Sequence, residues 1–170
     1  MTTGYRIRQA SHADLPAVAE MRVEAWRQTY GPLVEPSIIE RQRLGVARTA
    51  QFWACLLDLG HYLWVVVSAD DRIVGVAAAE PARDAGSPAS LELTMIYLLR
   101  EAQGSGIADR LLRMAIGDAP AYLWVLDGNH RAQAFYRRHG FVPDGGSQPL
   151  PDGWRGRCEI RMVRRPEADD

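Results

Sequence analysis

The six residues Gln103-Gly104-Ser105-Gly106-Ile107-Ala108 constrain this chain more than any others. They join a β-rich run, residues 91–99, to an amphipathic stretch in which Ile107, Leu111, Leu112 and Ala115 recur at helical spacing. Two glycines at a strand-to-helix junction let successive backbone N–H groups point into one concavity. The positive end of the helix dipole then makes that concavity an anion site. All 20 basic residues are arginine, so the anion must be held by backbone donors without a phosphate-loop lysine. The same absence excludes Schiff-base and lysine-base chemistry. Neither a dinucleotide fingerprint nor a Walker A loop is present, because Asp109 and Arg110 occupy the helix and lysine is lacking.

The rest of the pattern alternates strands and helices. A short first strand at residues 5–8 precedes a helix opened by Ser11, Asp14 and Pro16 and broken at Gly31-Pro32. Helical stretches at 37–44 and after Arg48 follow, the latter stopped by Gly60. Residues 62–67 and 73–78 read as an antiparallel hairpin. The helix at 103–117, a strand at 122–126 and a helix at 131–139 stopped by Gly140 come next. A sixth strand starts at Phe141-Val142, 145–156 reads as a glycine- and proline-rich loop, and 158–163 is the last strand. This order predicts an α+β chain, a mixed sheet flanked by helices. It reads as one domain over residues 1–165 with a short tail at 166–170.

With 20 basic and 21 acidic residues, the net charge of −1 argues against a nucleic-acid binder. No apolar run reaches the length of a membrane span. Cys55 and Cys158 form no paired motif, and the four histidines lack metal-ligand spacing, so no metal is expected. A reduced, cytoplasmic location is expected.

The segment from Ile96 through Tyr97-Leu98-Leu99-Arg100-Glu101-Ala102 to Ala108 resembles the acetyl-CoA-binding segment of the GNAT family of N-acetyltransferases. Gln103, Gly106 and Ala108 fill the defined positions of its (Arg/Gln)-x-x-Gly-x-(Gly/Ala) pattern. A second segment, Leu123-Trp124-Val125-Leu126, Asn129, Ala132 to Tyr136, then Gly140-Phe141, is similar to the family's strand–Asn–helix–Tyr–Gly-Phe segment. The resemblance runs from about Tyr5 to Val163. One departure is Arg100, where the family commonly has proline or a small residue.

The resemblance implies a GNAT-like acyl-CoA N-acyltransferase fold, a mostly antiparallel sheet splayed between two parallel strands. It implies acetyl-CoA as co-substrate, with the pyrophosphate on the backbone of Gln103, Gly104, Ser105, Gly106, Ile107 and Ala108. Pantetheine would pair with the strand at Ile96, Tyr97 and Leu98, and Asn129 would touch the pantetheine arm besides capping its helix. Tyr136 matches the family's general acid for the departing thiolate. The oxyanion would be held by a backbone N–H of residues 95–97.

Amide formation from a thioester needs a neutral amine, so a base must take a proton. Glu92 and Glu80 are the candidates, and the resemblance favours Glu92. Trp26, Tyr30, Trp124 and Trp154 are candidates to line the acceptor site, a small amine or a peptide, and Glu80 is expected to contact that acceptor. The leading expectation is an N-acetyltransferase. The competing one is a non-catalytic acyl-CoA-binding sensor or adaptor of the same fold. A homodimer is compatible with the family and unsupported by any residue.

Overall fold

A computed structural model describes residues 4–83 and 86–165; the expected tail lies outside the described residues. Seven strands form one sheet: β1 (Arg6–Gln9), β2 (Trp64–Val67), β3 (Ile73–Pro81), β4 (Leu91–Leu98), β5 (Ala121–Leu126), β6 (Val142–Pro149) and β7 (Cys158–Arg164). Their spatial order is β1-β2-β3-β4-β5-β7-β6. Every neighbouring pair is antiparallel except β4 and β5.

Helices α1 (Leu15–Tyr30), α2 (Pro36–Leu44) and α3 (Val46–Asp58) precede the hairpin, and α4 (Ile107–Ile116) and α5 (His130–Arg138) flank β5 in sequence. On one face of the sheet Leu15, Val18, Met21 and Trp53, from α1 and α3, pack on Val65, Val67, Val76 and Ala78. On the other, α4 lays Ile107 and Leu111 on Val66, Val74 and Leu98, while Leu112 and Tyr136 join Leu93, Leu123 and Phe141. Strand residues i and i+1 feed opposite faces, which is why Val65 and Val66 belong to different cores.

Three local details differ from the sequence expectation. Ser11 opens a 3-10 turn, His12–Asp14, before α1 begins at Leu15. The Asp14 carboxylate accepts from the Ser11 N–H at 2.7 Å and takes a two-pronged grip from Arg8 at 2.7 and 2.8 Å. The helix expected from residue 103 starts only at Ile107, because Gly104 and Gly106 adopt φ of +78° and +80°. The first five residues of the expected loop at 145–156 are strand. β6 runs through Gly145-Gly146 across a register break between Pro143 and Ser147, where Asp144 accepts from the Gly146 N–H at 2.9 Å and pairs with Arg161 of β7. No helix among the described residues is long and apolar enough to cross a membrane.

Candidate active site

The site is made by a failure of strand pairing. β4 and β5 share one residue pair, Glu92 with Tyr122, and then diverge. Beyond that pair every second N–H and C=O of β4 faces the gap without a strand partner. A cavity of about 880 Å³ fills the divergence, lined by Ile96, Tyr97 and Leu98 of β4 and by Trp124, Val125 and Leu126 of β5. Its aliphatic and aromatic side chains and unpaired backbone edge suit an extended, amide-bearing chain.

At one end of the gap stands the glycine turn. The Gln103 side chain donates to the Leu98 carbonyl at 3.0 Å and pins the turn to the end of β4. A Cβ on Gly104 or Gly106 would meet no atom within 4 Å, so glycine is required there for its left-handed backbone rather than for space. Among the described residues the N–H groups of Gly104, Ser105, Gly106 and Ala108 have no acceptor. These donors sit at the N-terminus of α4, where the dipole also favours an anion. Gln103, Gly104, Gly106 and Ala108 line the cavity, as do Arg131 and Arg138 of α5.

Ser105 and Ile107 do not line it. The Ser105 hydroxyl donates to the Ala102 carbonyl at 2.6 Å, and the Ile107 side chain, 1% exposed, is part of the core under α4. Both residues were expected at the anion site for their backbone, and the Ser105 amide is still free. Arg100, the departure from the family pattern, is held by α1: its N–H donates to Gln28 Oε1 at 2.8 Å.

Tyr136 enters the gap from α5. Its ring is buried against Phe135 and Phe141, while its hydroxyl makes no hydrogen bond with another described residue. Burial pushes the phenol well above its ordinary range, and Tyr97 reinforces the shift, so the proton stays on oxygen. Tyr30 is shifted upward in the same way, by burial first and then by Tyr97, Tyr136 and Glu159. Three phenols thus converge from α1, β4 and α5. The sequence pointed to Tyr97 only for its backbone.

Glu92 lines the same cavity and accepts from the Tyr122 hydroxyl at 3.0 Å. Asn129 caps α5 by accepting from the Ala132 N–H at 3.2 Å and also lines the cavity, so capping and ligand contact are compatible. Gln133 escaped the sequence reading. It is 4% exposed and donates to the Leu126 and Asp127 carbonyls at 3.2 and 2.7 Å, tying α5 to the end of β5.

Three of the acceptor-side candidates come together. Trp26, Tyr30 and Trp154 form a triangle of edge-on rings with centroids 5.2 to 5.7 Å apart. The Trp26 Nε1–H is buried with no partner among the described residues, a donor left for whatever occupies the cavity. Trp154 reaches α1 because its loop is clasped to the α1–α2 connection. There the Glu35 N–H donates to Gly153 at 2.9 Å and Arg157 Nε to Leu33 at 3.1 Å. Trp124 faces the cavity from β5 with the Arg161 guanidinium 5.6 Å from its ring.

Glu80 is placed elsewhere. It is 4% exposed, bonded to His61 Nδ1, and lines a second cavity of about 490 Å³ against α1–α3. The two cavities share the walls Thr94, Met95 and Tyr97. Thr94 is the extra residue of a β4 bulge, and its hydroxyl donates to the Ala78 carbonyl at 3.1 Å. Among the described residues no group of three or more His, Cys, Asp or Glu is placed to hold a metal ion.

Known proteins share this architecture. A probable N-acetyltransferase of Mycobacterium tuberculosis, Rv2775, is 26% identical over 143 residues, covering 82% of this chain and 81% of that protein. The crystal structure of the PaiA N-acetyltransferase of Thermoplasma acidophilum in complex with coenzyme A superposes with a TM-score of 0.72 at 19% identity, covering 95% of this chain and 98% of the other. A ribosomal-protein-alanine N-acetyltransferase of Brucella melitensis gives a TM-score of 0.72 at 24% identity over 94% and 98%. The model of the acetyltransferase (GNAT) family matches residues 17–141, which contain the glycine turn, the strand gap and Tyr136. A sheet opened beside a backbone anion cradle, on a chain matched over that span, makes this protein a member of the GNAT family of acetyltransferases.

Proposed function

We propose that the protein transfers an acetyl group from acetyl-CoA to a primary amine by direct attack within a ternary complex. The observation that carries this reading is the Tyr136 hydroxyl, held protonated and without a protein partner inside a gap that ends at free α4 amides.

In this reading the pyrophosphate takes the N–H groups of Gly104, Ser105, Gly106 and Ala108, and Arg131 and Arg138 add charge at the rim. Pantetheine pairs with the open edge of β4 at Ile96, Tyr97 and Leu98, beside Asn129. The thioester then lies at the narrow end of the gap. Glu92, directly or through a water, accepts a proton from the incoming ammonium. The neutral nitrogen attacks the carbonyl carbon, and a new C–N bond forms. The resulting oxyanion is held by a β4 N–H of residues 95–97, a donor already fixed in place. As the C–S bond breaks, Tyr136 gives its proton to the thiolate. The second amine proton passes through water to the Tyr136 phenolate and restores the phenol, and Glu92 returns the first proton to solvent. Holding both reactants together removes the entropic cost of their encounter. Trp26, Tyr30 and Trp154 would flank the acceptor, a small molecule or a peptide end.

Steady thiol release from acetyl-CoA that depends on added amine is the expected result. Tight acetyl-CoA binding with no release across a broad amine panel would replace this reading with a binding module.

A further inference from the structure

The second cavity is electrically unlike the first. Three guanidiniums, Arg22 of α1, Arg48 of α3 and Arg83 after β3, line it. None pairs with a carboxylate among the described residues. Arg22 donates to Gln42 at 2.9 Å and lies 4.7 Å over the Trp26 ring, while Arg48 and Arg83 make no side-chain bond there. The cavity's one acid, Glu80, is engaged by His61 through Oε2 alone, which leaves Oε1 to the cavity. Three cations with no carboxylate partner among the described residues, around a concavity of about 490 Å³, describe an anion receptor.

Its position matters as much as its charge. Thr94, Met95 and Tyr97 line both this cavity and the one in which the thioester would lie, so the two abut, and a molecule seated here would turn one end towards the acetyl group. Glu80 stands on β3 beside that shared wall, while Arg48 and Arg83 are exposed at the outer side. A single ligand satisfies both charges. Its ammonium lies by Glu80, near the shared wall, and its anionic group meets the arginines.

We infer that the acceptor is a small amine bearing an anionic group, a carboxylate or an oxyanion of phosphorus, bound in the cavity of Glu80, Arg22, Arg48 and Arg83. The inference rests on the acetyl-transfer reading and narrows its substrate to zwitterions. The volume accommodates an amino-acid-sized molecule and excludes a folded protein surface. Charge-assisted hydrogen bonds to the anion would hold it chiefly in the ground state, so they act on KM more than on kcat.

The test compares acceptors of one chain length: alkylamines, ω-amino acids and aminoalkylphosphonates, each with acetyl-CoA and the full chain. The expected kcat/KM is about 10- to 100-fold higher for the anionic members. The ratio between the two anionic series identifies which anion the cavity takes. Arg48→Gln and Arg83→Gln should each raise KM for the anionic acceptor about 10-fold or more. Arg48→Glu should collapse the preference over alkylamines. Calorimetric binding of acetyl-CoA reports that each variant is folded. Equal or better turnover of alkylamines overturns the inference and leaves acetyl transfer standing. No turnover of any amine, with acetyl-CoA still bound, overturns both.

Discussion

Glu80 and Glu92 are direct cross-strand partners in the β3–β4 ladder, yet each carboxylate serves a different cavity. Paired residues in an antiparallel ladder project to one face, here the face that carries α1 and α3. Two like charges so placed repel unless each has a partner. His61 takes Glu80, and the Tyr122 hydroxyl takes Glu92. In the proposed reaction the pair would divide the work, Glu80 orienting the ammonium and Glu92 accepting its proton.

Glu92→Gln keeps the shape and can still accept from Tyr122. If Glu92 is the base, kcat/KM for the amine falls about 100-fold near neutral pH. The deficit shrinks as rising pH deprotonates the amine in solution. A pH–rate series that shows a constant deficit would move the base elsewhere.

Tyr136→Phe retains the ring that packs on Phe135 and Phe141 and removes only the hydroxyl. It is expected to lower kcat about 100- to 10,000-fold while leaving acetyl-CoA affinity nearly intact. Because burial raises the phenol above its ordinary 10.0, its acid form persists as pH climbs. The wild-type kcat should therefore show no alkaline decline centred below about pH 10. A decline centred near pH 8 would assign the acid role to another group.

Asp14→Asn tests the Arg8–Asp14–Ser11 knot at the start of α1. Arg8 first, and then Ser11, hold the Asp14 carboxyl well below its ordinary 3.8. A depressed folded-state pKa means that stability is present above 3.8 and is lost as pH falls below it. At pH 7 the variant should be less stable by about 1 kcal/mol, as when a cap is lost. The difference in melting temperature between wild type and variant should close as pH is lowered from about 4 towards 2. A gap unchanged across that range would show that the carboxylate charge contributes nothing.

Gly153→Ala strikes the clasp between the two acceptor-side loops. Gly153 has φ of +91°, and a Cβ would come within 2.6 Å of Ile38 Cδ1. Backbone strain of about 1–3 kcal/mol is expected. The loop can relieve it by leaving α2, carrying Trp154 away from Trp26 and Tyr30. Acceptor KM should then rise with acetyl-CoA affinity retained. Quenching of tryptophan fluorescence, altered in the variant, reports the movement, and unchanged emission with unchanged KM would remove the clasp from acceptor binding.

The glycine turn was legible because it depends on neighbours in sequence, a strand, a left-handed pair of glycines and a helix, whereas the strand gap and Tyr136 were expected only from the family resemblance. Ile107 and Ser105 show the limit of contiguity. One turn of helix is enough to send Ile107 into the core while Gly106 and Ala108 face the cavity. β6 was hidden by its own composition. Pro143, Pro149 and two glycines read as loop, but β6 is the sheet's edge strand, where proline costs no ladder bond on its outer side. The Trp26–Trp154 contact and the arginine cavity join segments distant in the chain, and no local spacing encodes them.

The single rung between β4 and β5 makes the sheet two half-sheets, four strands and three, that share little backbone. A pantetheine arm hydrogen-bonded along β4 would act as an inserted strand, so occupancy and rigidity become the same variable. The charged enzyme would be the stiff state, slow in amide exchange and hard to cleave. Letting go of the spent carrier would mean loosening the sheet itself, which sets the rate of its departure by the elasticity of the fold.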